Sequence, residues 1–588
     1  MEDAIIKKRI LDWCSPYFPL EIREEAAKIY NRYINGDRSE DVFAYMTELK
    51  FGTGGLRGVI GNGSGRMNEY TVGKTTLGFA HYLLKKYKSP SVVIAYDSRR
   101  RSEDFAEITA GILAGKNIKV YLFDQVTPTP ILSYAIRKLK AQGGIVLTAS
   151  HNPPEYNGYK VYQEDGSQIV GDVQKAIEQE IDQIHDWNIP FINKNDPIFK
   201  KNVEYIGENI KSSYYKEFDH VFFAKKINKP LKVVFSPLHG TAGKWLPGLL
   251  EKYDIEVIPV KEQFEPNGEF PTVDYPNPEE PEALEMCKEL AKKVGADLFI
   301  ATDPDADRMG AGIKNHNGEY VLINGNQTGS ILLAYLCENL PKDTNKRYFV
   351  FKTIVTTNLQ REIARKNRVF IRDVLTGFKY IAEQMRWIEE SKDIYNSKKD
   401  IYLFGGEESY GYLPIDFVRD KDSLSSSLLL CTIAKEKGNL LDYLNEIYLK
   451  YGFYLEDLKS ITMKGLDGLQ RMKEIISRLR SSDLIGKELG ERKIVKVYDY
   501  QNQTINNQED KEFFKIVPKS DVLQYELEPE GILTIRPSGT EPKVKIYISL
   551  RSKEQPQSIE ELTIQKKQLE NELNTILGMF LAITKLSG

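Results

Sequence analysis

The sequence is poor in cysteine: Cys14, Cys287, Cys337 and Cys431 are its only four in 588 residues, far apart and with no Cys-x-x-Cys pair. Neither a disulfide framework nor a thiolate zinc site is supported, so any metal is expected to be held by oxygen. Net charge is nearly absent as well, since 81 Lys plus Arg against 84 Asp plus Glu leave −3. That balance is too even for a protein that must neutralise a run of nucleic-acid phosphates, and no nucleic-acid partner is expected. No unbroken apolar stretch approaches the roughly 18 residues of a membrane helix, so no membrane association is expected either. The opening Met1 to Trp13 mixes Glu, Asp, Lys and Arg with isolated apolar residues. It lacks the apolar block of a secretory signal, and a cytoplasmic address is expected.

What is present is ordinary for a globular chain, 41% hydrophobic and 28% charged. Single hydrophobic cores stop growing near about 250 to 300 residues, and at roughly 150 residues per domain this length predicts about four domains. The first forty-odd residues have apolar positions at helical spacing and form a leader. Three stretches follow in which apolar, strand-like runs alternate with helical segments. They open with Ser91–Tyr96, Leu231–Phe235 and Arg347–Phe351, and each has a second strand at Gly144–Leu147, Ala296–Ile300 and Ile401–Phe404. Each second strand runs into a polar turn, which reads as a diverged threefold repeat with chemistry at corresponding strand ends. The final part differs, with strands expected at Ile494–Tyr498, Gly531–Ile535 and Lys543–Ile548 and an exposed polar loop from Asp499 to Asp510. The expected domains are 1–215, 216–335 and 336–455, all α/β, and an α+β domain at 456–588.

Four segments have residues suited to chemistry. Asp303-Pro-Asp-Ala-Asp-Arg308 places three carboxylates on alternate residues after an apolar strand, where they repel one another unless a cation sits among them. Oxygen ligands without His or Cys suit Mg²⁺; the alternative is a solvated acidic turn. Thr148-Ala-Ser-His-Asn-Pro153 sets Ser150 beside His151 at a strand-to-turn junction, as a nucleophile that needs activation or as a turn residue. In Gly405-Gly-Glu-Glu-Ser-Tyr-Gly-Tyr412, strand alternation would put Glu407 and Ser409 on one face, suited to vicinal sugar hydroxyls, and leave Glu408 to pair elsewhere. Downstream, Arg419-Asp-Lys421 supplies cations for a phosphate or a solvent-exposed face. Arg536-Pro-Ser-Gly-Thr-Glu-Pro542 joins two strands either as a plain turn or as a phosphate cradle of hydroxyls, amides and a guanidinium. Gly52-Thr-Gly-Gly-Leu-Arg-Gly58 lacks the context of a nucleotide loop, although Arg57 remains available to a phosphate carried elsewhere.

In chain order, the Thr148–Pro154, Asp303–Arg308, Gly406–Gly411 and Arg536–Pro542 segments resemble the four signatures of the α-D-phosphohexomutases. The branch they look most like is the long phosphoglucomutase (phosphoglucomutase/phosphopentomutase-type) branch, on the helical leader, Gly54–Gly58, Asn157–Lys160 and Glu408–Tyr412. That resemblance implies three related mixed α/β sandwich domains plus a C-terminal α+β domain around a central active-site cleft. It implies a phosphotransferring isomerase of carbohydrate metabolism that interconverts α-D-glucose 1-phosphate and glucose 6-phosphate. The route would run through a phosphoserine and glucose 1,6-bisphosphate, with mannose or pentose phosphates as alternative substrates and a Mg²⁺-dependent sugar phosphatase as a different outcome. By the same resemblance, Ser150 would be the phosphoserine, and Asp303, Asp305 and Asp307 would hold Mg²⁺ with it. His151, Lys160, Lys421 and Arg57 would be the further catalytic residues, and Arg308, Thr376, Gly377, Glu407, Ser409, Arg536, Ser538, Gly539 and Thr540 would bind substrate. The partner would be a small phosphosugar, with monomer and homo-oligomer both open. One departure is Lys421-Asp-Ser423, where the resemblance leads one to expect glycine in the third place.

Overall fold

The computed structural model describes residues 2–584 apart from 53, 342–344, 463–464, 516 and 538–542. The chain forms two compact units, one of Met1–Ile323, Ala382–Asn396 and Tyr410–Glu436, the other of Asn324–Ile381, Ser397–Ser409 and Lys437–Gly588.

The first unit begins with the expected helical leader, Glu2–Asp12, Leu20–Ile34 and Glu40–Met46, closed around buried Trp13, Phe18, Tyr45 and Tyr70. Its first sheet contains β1 Gly55–Val59, β2 Ser91–Tyr96, β3 Lys119–Phe123, β4 Gly143–Leu147, β5 Tyr156–Gln163 and β6 Val203–Ile206, in the order β1-β5-β4-β2-β3-β6. Strands β2 and β4 are buried almost end to end, as parallel strands covered on both faces must be, which is why they read as continuous apolar runs. The second sheet contains β7 Lys232–Ser236, β8 Glu256–Pro259, β9 Leu298–Thr302, β10 Met309–Lys314 and β11 Tyr320–Ile323, ordered β11-β10-β9-β7-β8.

In both sheets the strand before a signature segment is followed by an antiparallel return strand. Leu147 of β4 is opposite Tyr159 of β5, and Thr302 of β9 is opposite Met309 of β10. The signature segments are thus hairpin connections, held at both ends by a sheet. The glycine-rich segment, which lacks the context of a nucleotide loop, forms β1, an edge strand with Gly55 opposite Lys160 and Arg57 opposite Gly158. Glycine is required there because a Cβ on Gly55 would lie 2.0 Å from the Tyr159 carbonyl oxygen.

The second unit holds β12 Arg347–Thr353, β13 Phe370–Val374 and β14 Asp400–Gly406, with β12 central and parallel to both neighbours. The β13-β12-β14 order repeats β3-β2-β4 and β8-β7-β9, so the expected threefold repeat is present in the topology. Strand β15, Tyr412–Leu413, belongs to the first unit.

The rest of the second unit is an antiparallel sheet of β16 Tyr454–Thr462, β17 Glu488–Leu489, β18 Arg492–Asp499, β19 Thr504–Ile505, β20 Gln508–Glu509, β21 Leu523–Glu528, β22 Gly531–Pro537 and β23 Lys543–Arg551, with helices Gly465–Ser481 and Ile559–Thr584. The polar loop expected from Asp499 to Asp510 is in part a hairpin. Asn506 and Asn507, at φ of 50° and 62°, form a two-residue turn between β19 and β20. Left-handed pairs of this kind match the strand twist, and asparagine tolerates them. Ile354, Val355 and Leu375 pack on Tyr500, Phe514, Val522 and Tyr547, which joins this sheet to the β12 layer.

Candidate functional site

The carboxylate cluster is built by the β9–β10 connection. Asp303, Asp305 and Asp307 are 0%, 0% and 2% exposed, and their ligand oxygens lie within 4.8 Å of one another. The turn is tied internally: Asp303 Oδ1 accepts from the backbone N–H of Asp307 at 3.1 Å and of Arg308 at 3.0 Å. Ala306, between the second and third acids, is left-handed at φ 57°. From outside, Gly240 closes on the turn so tightly that a Cβ there would lie 2.3 Å from Pro304 Cα, while Thr241 N–H donates to the Pro304 carbonyl at 2.8 Å.

Three buried acids this close are costly without positive charge. Lys160, delivered by the return strand β5, places its Nζ 2.8 Å from Asp305 Oδ2 and 3.6 Å from Asp307 Oδ2. Lys421 Nζ lies 3.0 Å from Asp307 Oδ2. Burial and the neighbouring charges of Asp305 and Asp307 push the Asp303 carboxyl well above its ordinary range. For Asp305 burial is the largest influence and acts upward, but the nearby charges and hydrogen bonds, those of Lys160 foremost, outweigh it and hold the carboxyl below its ordinary range. Burial likewise works first against the Lys160 ammonium, yet Asp305 and Asp307 carry its net shift upward.

Among the described residues, Asp305 Oδ1 and Asp307 Oδ1 are buried oxygens without a hydrogen-bond partner. Orphaned carboxylate oxygens in an all-oxygen set fit a hard divalent cation. The solvated acidic turn is therefore not what forms.

Ser150 meets this cluster from the β4–β5 connection. Its hydroxyl donates to Asp303 Oδ2 at 2.7 Å and lies 3.1 Å from His151 Nδ1. Burial first, then the charges of Arg308 and Arg57, hold the His151 imidazolium well below its usual pKa. Ser150 is left-handed at φ 52°, a conformation that persists only where the surroundings enforce it. The enforcing group is Arg99, which sequence reasoning missed. Its guanidinium donates to the carbonyls of Ser150 at 2.5 Å, Pro153 at 2.8 Å and Tyr156 at 3.2 Å, and also to that of Asn152. Asp97, as buried as Arg99, balances the charge at 3.3 Å. Thr129 was missed as well; its hydroxyl donates to Asp305 Oδ2 at 3.0 Å. An available signal was Asp97-Ser-Arg99, polar residues at the carboxyl end of buried β2.

The remaining expected residues divide. Arg57 is exposed on β1 and donates to Asn152 Oδ1 at 3.1 Å, beside the serine loop. Arg308 pairs with Glu279, which no motif had marked. Arg419 corrects an expectation: it is 3% exposed and pairs with Glu389, so of the Arg419-Asp-Lys421 cations only Lys421 reaches the acids.

In the second unit, β14 ends at Gly406, and 408–410 form a bend, so strand alternation does not govern Glu407 and Ser409. Glu408 does pair elsewhere, accepting from Thr353 Oγ1 at 3.0 Å and Thr356 Oγ1 at 3.3 Å. Glu407 Oε1 accepts from the Gly377 N–H at 3.0 Å, which brings Glu407 together with the Thr376–Gly377 turn. Arg536 lies at the end of β22; Ser538, Gly539 and Thr540 fall outside the described residues.

Comparison with known proteins adds family and fold. Residues 48–187, 212–318 and 324–451 match the phosphoglucomutase/phosphomannomutase alpha/beta/alpha domains I, II and III, in that order. The chain is 37% identical to a phosphoglucomutase of Staphylococcus epidermidis over 88% of this chain and 93% of that one. It is 38% identical to a phosphoglucomutase of Staphylococcus haemolyticus over 86% and 91%. A solved phosphoglucomutase/phosphomannomutase family protein of Burkholderia thailandensis shares the fold with a TM-score of 0.62 at 19% identity, covering 89% of this chain and 96% of that one.

Proposed function

Since the chain belongs to the phosphoglucomutase/phosphomannomutase family, we propose that it is a phosphoglucomutase interconverting α-D-glucose 1-phosphate and glucose 6-phosphate. The observation that carries this reading is the 37% identity to a phosphoglucomutase over 88% of this chain, and the 2.7 Å contact between the Ser150 hydroxyl and Asp303 within a buried carboxylate triad supplies the groups that the transfer needs. A serine that stores a phosphoryl group needs a site that offsets its charge.

In this mechanism, phosphorylated Ser150 is the donor. The free hydroxyl of the sugar phosphate attacks the phosphorus and gives up its proton, the phosphorus–Oγ bond breaks and Oγ takes up a proton, and glucose 1,6-bisphosphate forms. The bisphosphate then presents its other phosphate, the Ser150 oxygen attacks it, and the isomerised monophosphate leaves. Mg²⁺, held by Asp303, Asp305, Asp307 and an oxygen of the phosphoserine, would supply positive charge to the transferring group. Lys160 and Lys421, fixed by the same acids, add further positive charge, and Arg99 holds the serine loop in its left-handed turn. His151 Nδ1, 3.1 Å from the serine oxygen, is placed to take or return the hydroxyl proton. Arg57 and Arg308 meet the phosphate groups, Glu407, Ser409, Thr376 and Gly377 read the sugar, and Arg536, Ser538, Gly539 and Thr540 hold its standing phosphate. The domains on this reading are 1–215, 216–335, 336–455 and 456–588. A cytoplasmic location belongs to this reading; among the described residues no helix is long and apolar enough to cross a membrane.

A coupled assay on glucose, mannose and ribose 1-phosphates tests the substrate, and negligible turnover of the glucose compound would remove the assignment. Peptide mass mapping should find one added phosphoryl group, at Ser150. The Ser150→Ala protein should lose that mass and at least about 10⁴-fold in kcat while still binding glucose 6-phosphate; normal turnover would refute the nucleophile.

A further inference from the structure

The tripeptide Lys421-Asp-Ser423 contacts the carboxylate turn at two points, and its third residue does something a glycine there could not. Lys421 Nζ is 3.0 Å from Asp307 Oδ2. Ser423, 1% exposed, donates its hydroxyl to the Ala306 carbonyl at 2.6 Å and its backbone N–H to the same oxygen at 3.3 Å. Ala306 is the residue between Asp305 and Asp307, and its φ of 57° sets the directions in which those two side chains leave the backbone. Ser423 is itself held firmly. It opens helix Ser423–Lys437, whose first turn is capped by Asp422 through the N–H groups of Leu424 at 2.9 Å and Ser425 at 3.3 Å. Tyr214 in turn donates to Asp422 Oδ2 at 2.5 Å.

We propose that Ser423 is a positioning residue for the cation site: its hydroxyl clamps the Ala306 carbonyl and so keeps the Asp305 and Asp307 carboxylates aimed at a common point. Glycine at 423 would leave only the longer N–H contact. The serine hydroxyl supplies the shorter bond, between two buried partners, where loss of the donor leaves a carbonyl less satisfied. This rests on the reading of the triad as a divalent-cation site.

The test is Mn²⁺ binding to the full-length protein, followed by electron paramagnetic resonance of the free ion, in the parent chain and in Ser423→Ala, Ser423→Gly and Asp305→Asn. Melting curves without metal report folding of each variant. Ser423→Ala and Ser423→Gly should raise the Mn²⁺ dissociation constant about tenfold, the size of one good hydrogen bond, with bound Mn²⁺ still detectable. Asp305→Asn should remove binding. If both Ser423 variants bind Mn²⁺ as the parent does while Asp305→Asn does not, the clamp is refuted and the cation site stands. If the parent and Asp305→Asn bind equally, or neither binds, the cation site fails and the clamp with it. Should Ser423→Gly unfold, Ser423→Ala decides, because it keeps the helical backbone and removes only the hydroxyl.

Discussion

At the scale of single residues, Asp422 connects position in the fold to a measurable pH response. It is fully buried, and burial pushes its carboxyl up to about 6 although Tyr214, Ser425 and Leu424 all donate to it. A carboxyl raised in the folded state binds more protons folded than unfolded between the two pKa values, so stability falls as pH rises from about 4 to about 6 and is level above that. The shift from 3.8 to about 6 corresponds to at most about 3 kcal/mol. Asp422→Asn keeps the oxygen that caps Leu424 and Ser425 and removes the charge, with its amide N–H donating to the Tyr214 hydroxyl where Oδ2 accepted before. The variant's melting temperature, measured from pH 4.5 to 7.5, should decline less than the parent's over the lower half of that range. Parallel curves would show that Asp422 does not titrate there. Arg99 illustrates what single-residue chemistry hides in a sequence: its importance lies in donating to the carbonyls of Ser150, Asn152, Pro153 and Tyr156, some fifty positions away, and backbone acceptors leave no trace in side-chain identity.

Among elements, legibility followed unbroken apolar composition rather than burial alone, since β10 is buried almost end to end. Strands β2, β4, β7, β9, β12 and β14 were all anticipated within a few residues, because sheets covered on both faces demand unbroken apolar runs. The returning strands were not. β5 reads Tyr-Asn-Gly-Tyr-Lys-Val-Tyr-Gln and β10 Met-Gly-Ala-Gly-Ile-Lys, polar or small because one delivers Lys160 to the acids and both lie close to neighbouring backbone. Strand β1 was obscured likewise by its glycines, of which Gly55 is required by the approach to β5. The site residues in these elements were legible as types and unreadable as contacts: the carboxylate triad and Ser150 could be marked, but not the hydrogen bond between them. The close approach of Gly240 to the carboxylate turn gives a test. An alanine at 240 would bring its Cβ to 2.3 Å from Pro304 Cα and 2.6 Å from its carbonyl oxygen, both backbone atoms that cannot swing away. Gly240→Ala should cost about 1 to 3 kcal/mol of stability through overpacking. By displacing Pro304 between Asp303 and Asp305 it should also cut kcat/KM at least tenfold in the coupled assay. A variant with full activity and an unchanged melting temperature would mean that the carboxylate turn tolerates displacement.

For the whole molecule, what separates a mutase from a phosphatase is whether the phosphoryl group is returned. Both chemistries would use Ser150 and the triad, so neither the 2.7 Å serine–aspartate contact nor the buried charge distinguishes them. The difference lies in bookkeeping over many turnovers: a mutase conserves organic phosphate, and it stops when a bisphosphate escapes and leaves Ser150 bare. Dephosphorylated protein should therefore be inactive on glucose 1-phosphate alone and regain turnover on addition of glucose 1,6-bisphosphate far below the substrate concentration. Free phosphate should stay under about one part in a hundred of the glucose 6-phosphate formed, since slower water attack is what a closed, preorganised transfer site achieves. Release of phosphate in proportion to substrate consumed, with no response to the bisphosphate, would make the chain a sugar phosphatase. Chelation with EDTA should stop transfer in either case, because the orphaned oxygens of Asp305 and Asp307 then have no cation to bind, and added Mg²⁺ should restore it.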